Sequence, residues 1–598
     1  MNIDLELDKL LEKYELKKEN EIPYAVKVSQ KHIIDMWNQI PKNYKIALWG
    51  AGTHTEGLLK LIENKNLIMC IIDNDKEKQG GFFDDIPIIS KEDISKYEID
   101  IIVISTMSYI SEIKNEIKNL NYKYLDFYEE VCDNNIELEK INKSVLWFRD
   151  LKKDSRTKYI SIFLLKNTYE KQMDNSNKEL WLKEIIKEYF YIRDFINAKK
   201  YINEYIKYEF SNKEKYEKFL KELDNFLDII EKKIDKRKNI DFIFNICDAL
   251  RYDMVNDAKN SQKDLEFFHY ISNNSIYYEN AYANSTYTRA AFKAIFEEKL
   301  IIDDCGYKLR DYSLNINNSR LIKYFISKGY CILNNSNMKI ESDRKNIYVI
   351  NNVYSKNEFE TCPEQLWKMI SYFCMNKKSC FVINHFMESH GPYLGGENTE
   401  ISIRHKKGDK KLKHICYEAV KYIDSQLFFY MRFFPKKSYK IFTSDHGQCE
   451  IEDQNKYNFY SSCDYVIKTP LIINNNKLEK SKIHNLFSKK DMTKLLINLH
   501  KNNIKLQYDI DYVEIQRDAL YKVYEKDFEG IESEAKEKYK MGFKAIKSLD
   551  GKYVLYENGM EEFYTSLNDE KNEFNNSKYR EIIDSLKSYL KNDKFYIE

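Results

Sequence analysis

The sequence predicts an α/β protein in which strands and helices alternate along the chain in two separate regions. Short apolar runs of strand length are followed by segments with apolar residues at helical spacing, which is the pattern of parallel βαβ units. The runs lie at 45–49, 67–72, 100–104, 240–247, 379–384, 440–443 and 470–474. A chain of 598 residues is too long for one hydrophobic core, so several domains are expected.

The composition excludes partners that need a strong charge or a long apolar segment. Lys and Arg number 96 against 95 Asp and Glu, and a net charge of +1 gives no field that would recruit nucleic acid or an acidic membrane surface. No apolar stretch approaches the ~18 residues that predict a membrane span. Residues 1–8 lack the basic and apolar parts of a secretory signal. The 11 cysteines include no CxxC pair, which is typical of reduced thiols, so we expect a cytoplasmic protein.

The pattern divides the chain into four parts. Residues 1–43 predict a helical segment, and 44–135 predict a small α/β domain with the first three strands. In 136–238, charged and aromatic residues alternate at helical periods with almost no Gly or Pro, which predicts a helical connector. Part of it, 188–208, resembles one helix pair of a tetratricopeptide array and suggests a protein partner. Residues 239–598 return to strands and predict a second α/β domain.

A glycine-rich turn after the first strand is the candidate ligand site of the first domain. Gly50, Gly52 and Gly57 approximate the dinucleotide-binding spacing, and Asp73 follows the second strand, where an acidic residue takes a ribose hydroxyl. The domain resembles small Rossmann-like domains attached to enzymes of bacterial surface-glycan assembly, which implies a bound nucleotide or sugar nucleotide. The alternative is tight strand–helix packing without a ligand.

Three segments of the second domain carry side chains suited to metal-assisted chemistry. Asp248 ends a strand, Ser285 and Arg289 flank a hydroxyl-rich turn that enters a helix, and Asp445 with His446 follows another strand. Ligands bind outside the carboxyl ends of strands in open sheets. Two carboxylates and an imidazole suit Zn²⁺, Mn²⁺ or Mg²⁺, and an arginine grips two oxygens of a phosphate or sulfate. The sequence therefore predicts one cation site with an adjacent hydroxyl.

These segments resemble the signature of the sulfatase-like family of the alkaline phosphatase superfamily. The resemblance covers 239–598, in the family's order. It rests on Asp-Ala-Leu-Arg at 248–251, Asn-Ala-Tyr-Ala at 280–283, Glu-Ser-His-Gly-Pro-Tyr at 388–393, Ser-Asp-His-Gly at 444–447 and a terminal hairpin at 551–564. It implies a three-layer α/β/α catalytic domain.

The resemblance also implies a site for one divalent metal ion, Mn, Zn, Mg or Ca. Its ligands would be Asp248, Asp445, His446 and the hydroxyl of Ser285. A cation lowers the pKa of a hydroxyl that coordinates it, which would activate this serine as a nucleophile.

The reactive hydroxyl is assigned by the spacing of the family's Cys-x-Pro-Ser-Arg motif. Ser285 takes the Cys position, because Arg289 follows at the motif's distance. Thr286 and Thr288 are rival nucleophiles. Arg289 and His390 would contact the transferred group.

The sequence departs from the family pattern at several positions. Ala249 stands where a second Asp is usual, and Tyr287 replaces the Pro, which argues against conversion of the nucleophile to formylglycine. The family's active-site Lys has no clear counterpart, and Lys456 is the candidate. The remaining histidines that we interpret as structural or surface residues are His54, His269, His385, His405 and His414.

The sequence therefore predicts a metal-dependent sulfatase-like hydrolase or phosphotransferase. Its substrate would be a phosphate or sulfate ester of a small molecule or glycan, in bacterial surface-polysaccharide modification. An unmodified hydroxyl favours phosphoryl over sulfuryl chemistry. The alternative is a non-catalytic sulfatase-fold module that binds a glycan or sugar nucleotide.

Overall fold

The computed structural model of the chain divides into two compact units. The smaller unit comprises Leu16–Tyr191 and Thr399–His405, and the larger unit comprises Met1–Glu15, Ile192–Asn398 and Lys406–Glu598. The described residues are 1–19, 23–106, 110–127, 155–208, 210, 212–255, 264–305, 314–315, 317–336, 338, 340–341, 349–351, 360–395, 399, 412–448, 461–503, 506–519, 533–566, 569, 571–590 and 595.

The strands have lengths of two to eight residues. They are β1 (Ile46–Trp49), β2 (Ile68–Ile72), β3 (Phe82–Phe83), β4 (Ile86–Ile89), β5 (Ile101–Ile104), β6 (Lys123–Asp126), β7 (Phe242–Cys247), β8 (Ile276–Tyr282), β9 (Leu314–Asn315), β10 (Cys331–Asn334), β11 (Ile340–Glu341), β12 (Val349–Asn351), β13 (Cys380–Phe386), β14 (Tyr439–Thr443), β15 (Leu471–Asn474), β16 (Ser481–Ser488), β17 (Val513–Arg517), β18 (Phe543–Lys547), β19 (Lys552–Tyr556) and β20 (Glu561–Tyr564).

Most α-helices alternate with these strands, but four of them follow one another between Ser155 and Asp235. They are α1 (Ile3–Lys13), α2 (Tyr24–Gln39), α3 (Thr53–Leu61), α4 (Ile110–Asn119), α5 (Ser155–Glu170), α6 (Asn175–Tyr191), α7 (Phe195–Lys207), α8 (Lys213–Asp235), α9 (Glu266–Asn273), α10 (Thr288–Glu297), α11 (Ile301–Cys305), α12 (Arg320–Ser327), α13 (Cys362–Met375), α14 (Leu412–Tyr430), α15 (Asp464–Ile467), α16 (Met492–His500), α17 (Ser533–Lys540) and α18 (Arg580–Ser588). Short 3₁₀ helices lie at Lys65–Leu67, Lys91–Tyr97, Met431–Phe433, Lys489–Asp491 and Ser577–Tyr579.

The smaller unit contains a six-stranded sheet in the order β3-β4-β2-β1-β5-β6. All neighbouring strands are parallel except β3 and β4, which are antiparallel. The five parallel strands, counted along the chain, thus lie in the order 3-2-1-4-5. Every residue of β1 is buried, as expected for a parallel sheet that is covered on both faces. In the same unit, α5 packs against α6 and against α2.

The larger unit is built on an eight-stranded sheet in the order β12-β10-β13-β7-β14-β15-β8-β16. The strands β12, β10, β13, β7 and β14 run parallel to one another, whereas β15 is antiparallel to both of its neighbours. Every residue of β7, β13 and β14 is buried. The predicted α/β class is therefore confirmed for this unit.

The core of this sheet contains a cluster of aromatic side chains among many aliphatic ones. The Phe242 ring of β7 lies 4.8 Å from Phe325 of α12 and 4.7 Å from Tyr439 of β14, measured between ring centroids. Aromatic rings bury large apolar areas, so this cluster fixes the spacing of the central strands on which the candidate site depends.

A second, four-stranded sheet in the larger unit has the order β17-β18-β19-β20 and is antiparallel throughout. Strands β19 and β20 form the hairpin that the sequence predicted at the end of the chain, and Gly559 in its turn has a φ of +85°. Among the described residues, no helix is both long and apolar enough to cross a membrane.

Candidate metal centre and active site

The candidate site lies at the carboxyl ends of three neighbouring parallel strands. The central strand β7 has β13 on one side and β14 on the other. Ile246 of β7 pairs in register with His385 of β13 and with Thr443 of β14. Asp248 follows β7 and Asp445 follows β14. Because parallel strands end at the same edge of a sheet, this topology brings residues that are far apart in sequence to one place.

Four buried side chains at this edge are close enough to share one ion. Asp248, His385 and Asp445 each offer a ligand atom, and these atoms lie within 4.8 Å of one another. His446 adds a fourth, since its Nε2 lies 3.7 Å from Asp248 Oδ1 and 3.6 Å from Asp445 Oδ2. Two carboxylates and two imidazoles form a donor set suited to Zn²⁺ or Mn²⁺.

The carboxylate oxygens at this site also fit a bound cation. Asp248 Oδ1 and Asp445 Oδ2 are buried and have no hydrogen-bond partner among the described residues. Buried carboxylate oxygens left without partners are costly unless an ion or water satisfies them. Two ligands about 2.1 Å from one ion at a tetrahedral angle lie about 3.4 Å apart. The separations of His446 Nε2 from these two oxygens are close to that value.

The local backbone fixes the orientation of His446. Its Nδ1 lies 2.7 Å from the carbonyl oxygen of Gly447 and donates to it, which leaves the lone pair of Nε2 available to a cation between His446 and the carboxylates. Gly447 packs tightly, and an added Cβ would lie 2.1 Å from the carbonyl oxygen of Tyr465. The glycine of the Ser-Asp-His-Gly segment is therefore required by this close approach.

His385 is the site residue that the sequence interpretation missed. We interpreted it as a structural or surface histidine, but it is buried and its Nε2 lies 3.2 Å from Asp248 Oδ2. Its place within β13, just before the carboxyl end, is the available signal. That signal is weak because an isolated histidine in an apolar strand is more often a core residue.

Among the three rival hydroxyls, Thr288 makes contacts with the candidate ligands. Its Oγ1 lies 3.3 Å from Asp248 Oδ2 and 3.3 Å from His446 Nε2. Thr288 is half-buried and is the first residue of α10. Ser285 and Thr286 are both buried, and Ser285 Oγ has no hydrogen-bond partner among the described residues. The structure thus brings the third hydroxyl of the turn, three residues after Ser285, to the carboxylate edge.

Two other predicted site residues lie on loops or helix ends near this edge. Arg289 is exposed in the first turn of α10. His390 is half-buried, and its Nδ1 lies 2.7 Å from the carbonyl oxygen of Gly391, which leaves Nε2 unprotonated in the neutral ring. Lys456 lies outside the described residues.

The charges at the site act mainly on Asp248. Burial opposes its ionisation, but interactions with His390, His385 and His446 hold the pKa of Asp248 below its usual range. For His385, burial opposes protonation, yet the hydrogen bond and charge of Asp248 raise its pKa above the ordinary value. Asp248 and His385 thus favour each other's charged forms in a buried environment.

Ala249 fills the position where the resembled family has a second Asp. Its φ of +57° places it in the left-handed region, and its backbone N–H donates to Asp445 Oδ1 at 3.1 Å. This bond ties the turn after β7 to the turn after β14, so the backbone of Ala249 orients one of the candidate ligands.

The glycine-rich turn of the smaller unit lies between β1 and α3. Gly50 has a φ of +114°, Gly52 is the N-cap of α3 with open space around its Cα, and Gly57 lies inside that helix. Asp73 follows β2, and its Oδ2 accepts the Ala51 N–H at 2.7 Å. The carboxylate predicted to bind a ribose therefore also holds the turn together.

Comparisons with known proteins give a partial family match. The family described as C2185-like, N-terminal, matches residues 42–125. No curated protein matches the chain.

Several solved structures are similar to the chain at low sequence identity. A putative sulfatase from Bacteroides thetaiotaomicron VPI-5482 is 13% identical with a TM-score of 0.45, covering 59% of this chain and 91% of that one. A phosphonate monoester hydrolase of Agrobacterium radiobacter is 11% identical with a TM-score of 0.43, covering 59% and 95%. A protein in the alkaline phosphatase superfamily from Vibrio parahaemolyticus is 12% identical with a TM-score of 0.37, covering 55% and 79%. These values are too low to assign an activity to the chain.

Proposed function

We propose that the chain is a metal-dependent, sulfatase-like enzyme that cleaves or transfers a phosphate or sulfate ester. The observation that supports this most is the meeting of Asp248, His385, Asp445 and His446 at one sheet edge, with two carboxylate oxygens that have no hydrogen-bond partner among the described residues. Buried, converging acid and imidazole groups with perturbed pKa values are typical of catalytic centres.

Thr288, rather than Ser285, is the proposed nucleophile. Its hydroxyl is half-buried and contacts Asp248 and His446, whereas the Ser285 hydroxyl is 1% exposed. A nucleophile must be reached by the substrate as well as by the group that activates it. A bound divalent cation would lower the pKa of a coordinated hydroxyl and offset the charge of the transferred group.

The remaining steps are proposed as follows. The Thr288 hydroxyl gives its proton to solvent water and attacks the phosphorus or sulfur in line. A new O–P or O–S bond forms at Oγ1 as the ester bond breaks, and the leaving alkoxide takes up a proton from water. Water or an acceptor alcohol then releases the group from Thr288. The dipole of α10, which begins at Thr288, favours the developing negative charge, and Arg289 and His390 are the proposed contacts of the transferred group.

The substrate is proposed only by its chemical class. An unmodified hydroxyl nucleophile favours phosphoryl over sulfuryl transfer. A small molecule or glycan ester, in bacterial surface-polysaccharide modification, remains the proposed substrate class. That context depends on resemblance alone.

The test is hydrolysis of p-nitrophenyl phosphate, bis-p-nitrophenyl phosphate and p-nitrophenyl sulfate by the full chain supplied with Mn²⁺ or Zn²⁺. Thr288→Val removes the hydroxyl at nearly constant volume and is expected to lower kcat by more than about 10³-fold, as loss of a nucleophile does elsewhere. Thr288→Ser should retain measurable turnover. Ser285→Ala is the matched control and should stay within about threefold of wild type, well short of such a loss.

Two results would overturn the proposal. Equal losses in Ser285→Ala and Thr288→Val would remove the assignment of Thr288. A purified chain that binds no divalent cation and turns over none of the three esters would favour the non-catalytic module instead. Mass spectrometry of the acid-quenched enzyme adds a direct readout, since a covalent intermediate would appear as a phosphate or sulfate on the peptide that contains Thr288.

A nucleotide or sugar-nucleotide site in the smaller unit is a second proposal. The parallel-strand order 3-2-1-4-5 is that of doubly wound sheets that bind dinucleotides, and the open space at Gly52 supports access to the helix N-terminus. Calorimetric titration with UDP-sugars and NAD⁺ tests it. A Gly52→Val substitution should abolish any binding, and heat signals unchanged by that substitution would argue against this turn as the site.

A further inference from the structure

Lys489 is a buried lysine next to the candidate metal site. No motif in the sequence pointed to it. It begins the short 3₁₀ helix Lys489–Asp491, between β16 and α16, and is only 1% exposed. In a chain with 96 Lys and Arg residues, a single lysine carries no signal of its own. Lysines are almost never fully buried unless a partner compensates the charge.

The side chain of Lys489 contacts the segment that carries two candidate ligands. Its Nζ donates to the carbonyl oxygen of Ser444 at 3.3 Å and to that of Pro470 at 3.4 Å. Ser444 directly precedes Asp445, and the Thr443 hydroxyl also donates to the Pro470 carbonyl oxygen, at 2.7 Å. The side chain of Lys489 therefore links the end of β14 to the start of β15, next to the residue that precedes Asp445.

The backbone of the same 3₁₀ helix holds the other half of the site. The N–H of Lys490 donates to Asn284 Oδ1 at 2.7 Å. Asn284 Nδ2 in turn donates to the Ser488 hydroxyl at 2.9 Å and to the carbonyl oxygen of Glu514 at 2.7 Å. Asn284 opens the turn that leads to Thr288 and α10. One short segment thus anchors both the hydroxyl turn and the Asp445–His446 turn.

The contacts of Lys489 at this position are hydrogen bonds rather than ion pairs. Among the described residues, no carboxylate lies within ion-pair distance of its Nζ, and its two hydrogen bonds go to neutral carbonyl groups. Burial lowers the pKa of Lys489 to about 7, whereas the charge of Asp445 acts to raise it. Because both the charged and the neutral amine can donate these two hydrogen bonds, they are the contacts that tie Lys489 to the candidate site.

We infer that Lys489 is a positioning residue for the cation site, which holds Asp445 and His446 in the geometry that binds the ion. It acts through its hydrogen bond to the Ser444 carbonyl group, without touching the substrate. This inference rests on the proposed metal site.

The experiment measures cation affinity of the full chain by isothermal titration calorimetry with Mn²⁺ or Zn²⁺ alone. Lys489→Met keeps the length of the side chain and removes its donors and charge. We expect it to weaken cation binding by about 10- to 100-fold, the range seen when groups that orient metal ligands are removed. Lys489→Arg, which restores the donors and the charge, should recover at least part of that loss.

Lys440→Met is the matched control. Lys440 is another buried lysine and lies in β14, the strand that leads to Asp445. Its Nζ contacts Asn474 at 3.4 Å rather than the Asp445–His446 turn. Its substitution should change thermal stability and leave the cation affinity within about twofold of wild type, far from the loss expected for groups that orient ligands. If Lys489 had only a structural role, Lys489→Met would behave like Lys440→Met. It would change thermal stability and leave the cation affinity unchanged.

The outcomes separate this inference from the proposed function. If wild type binds no cation, the metal site itself is refuted. If wild type binds and Lys489→Met binds equally well, the role of Lys489 is refuted while the site stands. Should Lys489→Met fail to fold, as judged by circular dichroism, Lys489→Gln replaces it, and an unchanged affinity in that variant would refute the role in the same way.

Discussion

His385 is held at the candidate site by contacts of both its ring and its backbone. Its ring centroid lies 5.0 Å from that of Phe292 in α10, and its Nε2 faces Asp248 at 3.2 Å. Gln365 of α13 brackets the backbone, accepting the His385 N–H at 2.8 Å and donating to the His385 carbonyl oxygen at 2.6 Å. The imidazole therefore has little freedom to turn away from the carboxylates.

This constraint leads to a prediction for His385→Gln. The amide is close in length to the imidazole but is a poor metal ligand, so the affinity for Mn²⁺ or Zn²⁺ should fall by about 10- to 100-fold. Calorimetric titration measures it. His484→Gln is the control, because His484 pairs with Glu279 on the surface and lies on β16. Equal affinities of wild type and His385→Gln would exclude His385 from the cation site.

At the level of single residues, the sequence indicated some candidate site residues and concealed others. Asp248 and the Asp445–His446 pair could be singled out because they follow apolar strands, at the sheet edge where ligands bind in open α/β sheets. His385 lies inside such a strand, and its position at the ligand edge depends on the register of β13 against β7. The proposed choice of Thr288 over Ser285 depends on where α10 starts, and helix starts are poorly fixed by sequence.

At the level of elements, the N-terminus of α10 is tied to the small antiparallel sheet. Tyr287, the N-cap residue of α10, donates its hydroxyl hydrogen to Asp518 Oδ1 at 2.6 Å. Asp518 directly follows β17. The residue that replaces the family's Pro thus gains a specific role, because it anchors the turn that presents Thr288.

Tyr287→Phe tests this anchor. Loss of one buried hydrogen bond, with Asp518 left without its donor, should cost about 1–3 kcal/mol of stability. Because the bond lies one residue before the proposed nucleophile, kcat should also fall. Tyr324→Phe is the control, since its hydroxyl contacts His500 Nδ1 at 2.8 Å in α16, so it should lose stability without losing activity. Urea unfolding and p-nitrophenyl phosphate turnover measure both effects. Unchanged kcat in Tyr287→Phe would contradict the anchor.

At the level of the whole molecule, the sequence was sufficient for the fold class but not for the strand order. Alternating apolar runs and helical segments predict parallel strands, and both large sheets are predominantly parallel. The neighbours of β7 are β13 and β14, which are more than a hundred residues away along the chain, so no local pattern could reveal them. The division at Tyr191 and Ile192 also falls within a continuous run of helices, where composition does not change.

The stability of the larger unit should depend on pH through Asp424, a buried carboxyl group on α14. Its oxygens accept the N–H groups of Phe267 at 3.1 Å and Phe268 at 2.8 Å, at the start of α9. The ring of Phe267 lies 4.9 Å from that of Phe442 in β14, so this contact also holds α9 against the sheet. Burial is the main cause that raises the pKa of Asp424, to about 7.

Because its pKa is raised, Asp424 binds its proton more tightly in the folded chain than in the unfolded chain, where an Asp titrates at about 3.9. The stabilisation is therefore complete below about pH 4 and is lost as the pH rises through about 7, by about 4 kcal/mol at most. The Asp424→Asn variant carries no titratable group at this position. Its loss of stability relative to wild type should therefore be smallest at pH 8 and largest at pH 4 to 5. Urea midpoints of both chains across this range provide the measurement, and parallel curves would show that Asp424 does not titrate in this interval.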